Sequence, residues 1–156
     1  VYLSYRGSSW GWAIWKDRWD SIDWEIKDKV NFLSHPDQQR AFNKGGGDLS
    51  SMLKRQFKGE IDSWAIRFAY NAFKKNTLHI TPIHSKVQNI GHDNSGVHSN
   101  KTTHYEVQLT QDQKITDLPT SIPFSQEINN SIYTIFKKPL YKKIIVSIIS
   151  YLKLLR

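Results

Sequence analysis

Apolar residues recur every three or four positions from Ile61 to about Lys75, where Ile61, Trp64, Ala65, Phe68, Ala72 and Phe73 form one stripe. This spacing predicts the clearest helix of the chain. Asp62 and Ser63 fall in its predicted first turn, where the helix dipole and free backbone N–H groups favour a carboxylate. Upstream, Pro36 opens a short helix to about Phe42 that stops at Gly45, Gly46 and Gly47. Asp48 then stands as the N-cap of a helix from Leu49 to about Phe57, ended by Gly59. Trp12, Trp15 and Trp19 are spaced i, i+3, i+7, which predicts a helix from Gly11 or Trp12 with the three rings on one face.

The stretch from Thr77 to Ile83 alternates apolar and polar residues and reads as a strand. Residues 84 to 105 are polar and aperiodic, with Gly91 and Gly96, which predicts a long loop. From Thr110 to about Asn130 the composition turns to Gln, Asp, Thr, Ser and Pro, the composition of a linker. A final helix is predicted over Leu140 to Leu155, with Lys143, Ser147, Ser150 and Lys153 as a narrow polar stripe on an apolar cylinder. The pattern divides the chain into a body (1–109), a linker (110–135) and a basic amphipathic helix (136–156). The fold class expected is α/β, helices around a few strands.

Composition sharpens this picture in two ways. Twenty of the 156 residues are Trp, Tyr or Phe, too many large rings for a disordered chain, and there is no cysteine. Disulfide scaffolds, thiolate metal sites and cysteine nucleophiles are therefore excluded. The formal charge of +8 is concentrated at one end, where Lys137, Lys138, Lys142, Lys143, Lys153 and Arg156 face no acids. The body is nearly neutral, which argues against a nucleic-acid footprint and for a tail that meets an anionic surface. The charge-free apolar run Ile144 to Leu152 is far shorter than the roughly 20 residues a membrane span needs.

The block SSWGWAIWKDRW, residues 8 to 19, resembles the W-G-W-A-x-W signature in the acceptor-side half of bacterial family 2 glycosyltransferases. The string GGGDLSSMLKRQFKGEIDSWAIRFAYNAFKKNTLHITPIHSKVQNIG, residues 45 to 91, continues the resemblance. It is also similar to the catalytic half of the eukaryotic enzyme that adds the first branch N-acetylglucosamine to N-glycans. The resemblance covers roughly residues 3 to 109 and implies the C-terminal, acceptor-side part of a GT-A domain. It implies a nucleotide-sugar donor, a glycan or lipid-linked acceptor, and inverting transfer in surface polysaccharide synthesis. A cytoplasmic location is expected with it, and the charge distribution adds the basic helix on the inner face of the membrane and no nucleic-acid partner.

Inverting transfer needs one general base for the acceptor hydroxyl, and the leaving nucleotide diphosphate carries negative charge. Asp62, beside Trp64, is the expected base, though the same position suits a helix cap. Trp64, Trp10 and Trp12 are expected to stack on sugar rings, the last two with Gly11 between them allowing close approach; Trp15 and Trp19 are assigned to the core. Arg67 suits a phosphate or the orientation of the base, or equally a surface ion pair. Ser85, Lys86 and Asn89, followed by Gly91 and Gly96, resemble the loop that closes over the donor in such enzymes; a plain solvated loop is the alternative.

A divalent cation, Mn2+ or Mg2+, is expected for the complete enzyme. The ligands are open: His79, His84, His92, His98 and His104 lack the spacing of a dedicated site, and only His98 is singled out by the resemblance. The chain has no Asp-x-Asp, so the donor half is expected to lie outside these residues and to leave apolar surface uncovered here. The competing function is a non-catalytic carbohydrate-binding or interaction module with a Trp-rich face.

Overall fold

The structure is a computed structural model that describes residues 1–93, 101–103, 106–109 and 119–137. Its described elements are strand β1 (Tyr2–Ser4), helices α1 (Lys16–Asp20), α2 (Lys29–Ser34), α3 (Pro36–Phe42), α4 (Leu49–Phe57) and α5 (Trp64–Lys74), strand β2 (His79–Thr81) and helix α6 (Gln126–Ile135). Short 3-10 turns follow at Asn43–Gly45 and Gly91–Asp93. The two strands form one antiparallel pair, with Leu3 opposite Ile80 and Ser4 opposite His79. Among the described residues the β component of the expected α/β fold is this ladder.

The core is a ring of aromatics between α2, α3, α4 and α5. Phe32, Phe42, Leu49, Leu53, Ile66 and Tyr70 are buried, joined by Ile26 from the segment before α2. Phe32 meets Tyr70 edge-on at 5.1 Å and Phe42 at 5.9 Å, and Tyr70 meets Phe42 at 5.5 Å. Edge-to-face pairs of this kind add roughly 0.5–1.5 kcal/mol each beyond area burial. Tyr70 can be buried because its hydroxyl donates to Asp28 Oδ2 at 2.9 Å, while Lys74 pairs with the same oxygen at 2.7 Å.

Local chemistry explains the turns. Pro36 forces His35 into extended backbone, which ends α2 and leaves its last carbonyls open. Gln39 of α3 reaches back and donates to Phe32 O and Leu33 O at 2.9 and 3.1 Å. α2 itself carries no sequence signal as clear as those of its neighbours, and only the structure reveals it. The helix over Leu49–Phe57 forms as expected, but Asp48 does not cap it through its side chain. Its carboxylate instead takes a two-pronged bond from Arg6, at 2.7 and 3.2 Å, and Arg6 also lies 3.6 Å over the Phe136 ring.

Five expectations need correction. The tryptophan segment is not helical from Gly11; α1 starts only at Lys16 because Gly11 sits at φ 58 and Trp15 is extended. Trp15 and Trp19 are not core residues, being 72% and 37% exposed. The helix expected from Ile61 starts at Trp64 with Ser63 as cap, so Asp62 lies outside it, and the strand contracts to three residues. The linker assigned to 110–135 contains α6, whose N-cap Ser125 accepts from Ile128 N at 3.3 Å.

α6 is docked on the body. Asn129 is buried, donates to Leu3 O at 3.1 Å and accepts from Tyr5 N at 3.0 Å. One carboxamide thus satisfies the edge of β1 that β2 leaves open, as a neighbouring strand would. The predicted helix over Leu140 to Leu155 lies outside the described residues. No helix among those described is long and apolar enough to cross a membrane.

Candidate functional site

α5 is apolar on two sides, and this decides what is left outside. Ile66 and Tyr70 face the core, with Ala69 and Phe73 packed against it. Trp64 and Phe68, at i and i+4, leave the stripe assigned from sequence and meet the tryptophan arm instead. Trp12 stacks on Trp64 with centroids 5.0 Å apart and 28° between planes, and lies 5.4 Å from Phe68. Trp19 follows at 5.7 Å from Trp12, and Trp24 at 4.7 Å from Trp19. Trp12, Trp19 and Trp64 are each more than one third exposed, so the ladder is a surface feature built on α5.

Asp62 and Arg67 sit at one end of this ladder. Arg67 folds back along the first turn of α5, donating from Nε to Ser63 O at 3.3 Å and from a terminal nitrogen to Asp62 Oδ1 at 2.8 Å. Its guanidinium is 25% exposed whereas the Asp62 side chain is 89% exposed. Oδ2 of Asp62 makes no hydrogen bond to the described residues, which leaves one carboxylate oxygen open to solvent. Capping falls to Ser63, which accepts from Ile66 N at 3.4 Å, and Gln56 of α4 holds Ser63 N at 2.7 Å. Arg67 is thus engaged by Asp62 and by Ser63 O, the geometry of a surface ion pair.

Trp10 is not part of this ladder. Its ring lies edge-on to His92 at 5.5 Å, beside a cleft of about 290 Å³ whose walls include Asn89, Asp93, Lys101 and Glu106. The chain reverses between Trp10 and Trp12 at Gly11, where a Cβ would lie 2.3 Å from Val87. Gly11 permits the close approach of Val87 in this structure. Ser85 and Asn89 are absorbed by local turns: Ser85 Oγ donates to Val87 O at 2.6 Å and accepts from Val87 N, and Asn89 Oδ1 accepts from Gly91 N at 2.9 Å. These turns press Val87 onto Gly11, and Lys86 between them is half-buried.

His79 packs behind the ladder, 5.7 Å from Phe68 and against Gly7, whose added Cβ would lie 2.7 Å from the imidazole. Burial pushes its pKa below the usual histidine value, and its Nε2 has no hydrogen-bond partner among the described residues. No group of three or more His, Asp or Glu among the described residues could hold a metal ion. His98 and His104 lie outside those residues.

The sequence-derived candidates thus fall on two surfaces. Asp62, Trp64, Arg67 and Trp12 gather toward the N-terminal end of α5, while Asn89 lines the cleft and Trp10 lies against His92 of its wall. Phe68, Trp19 and Trp24 belong to the first surface and were not among those candidates. The i, i+4 spacing of Trp64 and Phe68 is the signal that would have found one of them. No family model, no curated protein and no solved structure matches the chain.

Proposed function

We propose that the chain is the acceptor-side half of an inverting glycosyltransferase, taking a sugar from a nucleotide-sugar donor to a glycan or lipid-linked acceptor. The observation that carries this reading is the Asp62 carboxylate, paired with Arg67 and set two residues before Trp64, whose indole stands in an exposed stack. An acceptor ring would lie against the Trp12 and Trp64 edge, where its C–H face meets aromatic surface. Asp62 Oδ2 takes the proton of the acceptor hydroxyl as that oxygen bonds to the anomeric carbon. The bond from that carbon to the diphosphate oxygen breaks, and the nucleoside diphosphate leaves with the electron pair. The exposed apolar side chains of the body, Ile80, Ile83, Val87 and Ile90 among them, are the surface on which a donor-side half would pack in this reading.

The Mn2+ or Mg2+ that the resemblance implies finds no donor set among the described residues, and no step above is routed through it. In the same reading the basic end of the chain rests on an anionic membrane surface, each cation near it adding about 1 kcal/mol. Co-sedimentation with anionic vesicles tests that part, comparing the whole chain with one truncated after Lys137, which keeps the docked α6.

The test of function is transfer itself. The complete enzyme, given a panel of nucleoside diphosphate sugars and methyl glycoside acceptors, should form a glycoside of inverted anomeric configuration. Glycoside binding without any transfer would identify a carbohydrate-binding module that uses the same aromatic face.

A further inference from the structure

The arm that carries Trp12, Trp19 and Trp24 has little to hold it by burial. Its helix α1 has five residues and none is buried. Its rings are more than one third exposed at Trp12 and Trp19. Polar bonds from α5 and from Lys75 at its end reach this arm as well.

We propose that Asn71, backed by Lys75 one turn later on the helix, is a positioning residue that sets the tryptophan ladder against the Asp62 and Trp64 edge. Asn71 is 7% exposed and all its donors are used. Its Oδ1 accepts from Asp23 N at 2.8 Å, while Nδ2 donates to Asp23 O at 2.9 Å and to Arg67 O at 3.0 Å. Two antiparallel bonds to the backbone of one residue fix its distance and its rotation together, as a strand pair would. Asp23 is rigid in its turn, because its carboxylate accepts from Glu25 N at 3.2 Å and Lys27 N at 2.9 Å. That turn carries Ile26 at φ 49, a left-handed conformation costly for a β-branched residue, and the buried Ile26 side chain anchors it in the core.

Lys75 adds a second tie, its Nζ reaching Ser21 O and Oγ at 2.6 Å each. From Asp23 the path runs through Trp24, Trp19 and Trp12 back to Trp64 and Phe68 on α5. The arm is therefore a closed circuit, tied by polar bonds at one end and by ring stacking at the other. Cutting the polar end lets Trp12 drift from Trp64 while the core ring of Phe32, Phe42 and Tyr70 stays intact.

Stacked indoles couple their transitions, so the exciton couplet in circular dichroism reads this geometry without any ligand. In the whole chain, Asn71→Ala should lower the couplet by about half or more with helical signal and cooperative melting retained. Lys75→Met, an exposed change that leaves the core untouched, should lower it by a smaller fraction and so decides the matter if Asn71→Ala does not fold. A couplet unchanged in a folded Asn71→Ala, or unchanged in Lys75→Met when the first variant is unfolded, would overturn the proposal.

Its consequence for binding rests on the glycosyltransferase reading and is read separately, in the complete enzyme. Asn71→Ala should raise acceptor KM about tenfold with kcat nearly unchanged. A fallen couplet with unaltered acceptor KM would overturn the link to binding. A wild-type enzyme that transfers nothing would sink the transferase reading, while the couplet result would still support the positioning role.

Discussion

Asp62→Asn removes the charge and the proton-accepting oxygen but keeps the side chain's shape and a carbonyl oxygen for Arg67. The structure separates what this does to stability from what it does to rate. The carboxylate is 89% exposed, so its pair with Arg67 lies in water, where such pairs contribute roughly 0–1 kcal/mol. No cap is lost either, since Ser63 caps α5 and Asp62 precedes it. A chain of this length shifts in Tm by about 2–4 °C per kcal/mol, so the variant should melt within about 4 °C of the wild type. Loss of a general base, by contrast, lowers turnover by about 100- to 10,000-fold, which at ~1.36 kcal/mol per decade is about 2.7–5.5 kcal/mol of barrier. The two effects differ enough to be told apart in one preparation. Release of nucleoside diphosphate in the presence of acceptor would be followed under single-turnover conditions, beside a thermal melt. Arg67→Met should leave the base but free its orientation, at a cost of about tenfold. A fall of less than about threefold for Asp62→Asn, with Tm unchanged, would show that this carboxylate takes no proton in the reaction.

Three further outcomes follow from the packing. Tyr70→Phe leaves Asp28 with only Lys74 and deletes one bond to a carboxylate, so it should cost about 1–2 kcal/mol in urea unfolding. Because burial and then the Asp28 bond and charge push its phenol up, an ultraviolet titration should show a tyrosine component ionising above the usual tyrosine range, and that component should vanish in Tyr70→Phe. His79 is held below the unfolded value of about 6.5, so between its folded pKa and that value the unfolded chain binds the extra proton. Stability should accordingly fall as pH drops below about 6.5, by up to ~1.4 kcal/mol per pH unit, and His79→Leu should flatten that dependence in unfolding curves taken from pH 7.5 to 5. Gly11→Ala forces a side chain into the left-handed region and onto Val87, which should cost about 1–2 kcal/mol and displace the turn of Ser85 from the tryptophan arm, read as a change in near-ultraviolet dichroism.

The sequence alone fixed those elements whose signals are local. α3, α4 and α5 are legible because Pro36, the glycines at 45–47 and 59 and a three-to-four residue apolar period all act within one or two turns of chain. The pairing of Asp62 and Arg67 near Trp64 is legible for the same reason, since five residues on a helical start bring them together. The failures have one physical source. Period alone does not say which of two apolar sides of α5 faces inward, nor that Trp12, Trp15 and Trp19 lie on no common helix once Gly11 takes a positive φ. The tertiary structure decided these through contacts between residues far apart in the chain: Asn71 with Asp23, Arg6 with Asp48, and Asn129 with the edge of β1. Each is a polar side chain matched to backbone groups or a charge that only the folded chain brings within reach, so none leaves a periodic trace. The polar composition that leads up to α6 reads as a linker in sequence, because Asn129 looks like any solvated amide until β1 lies beside it.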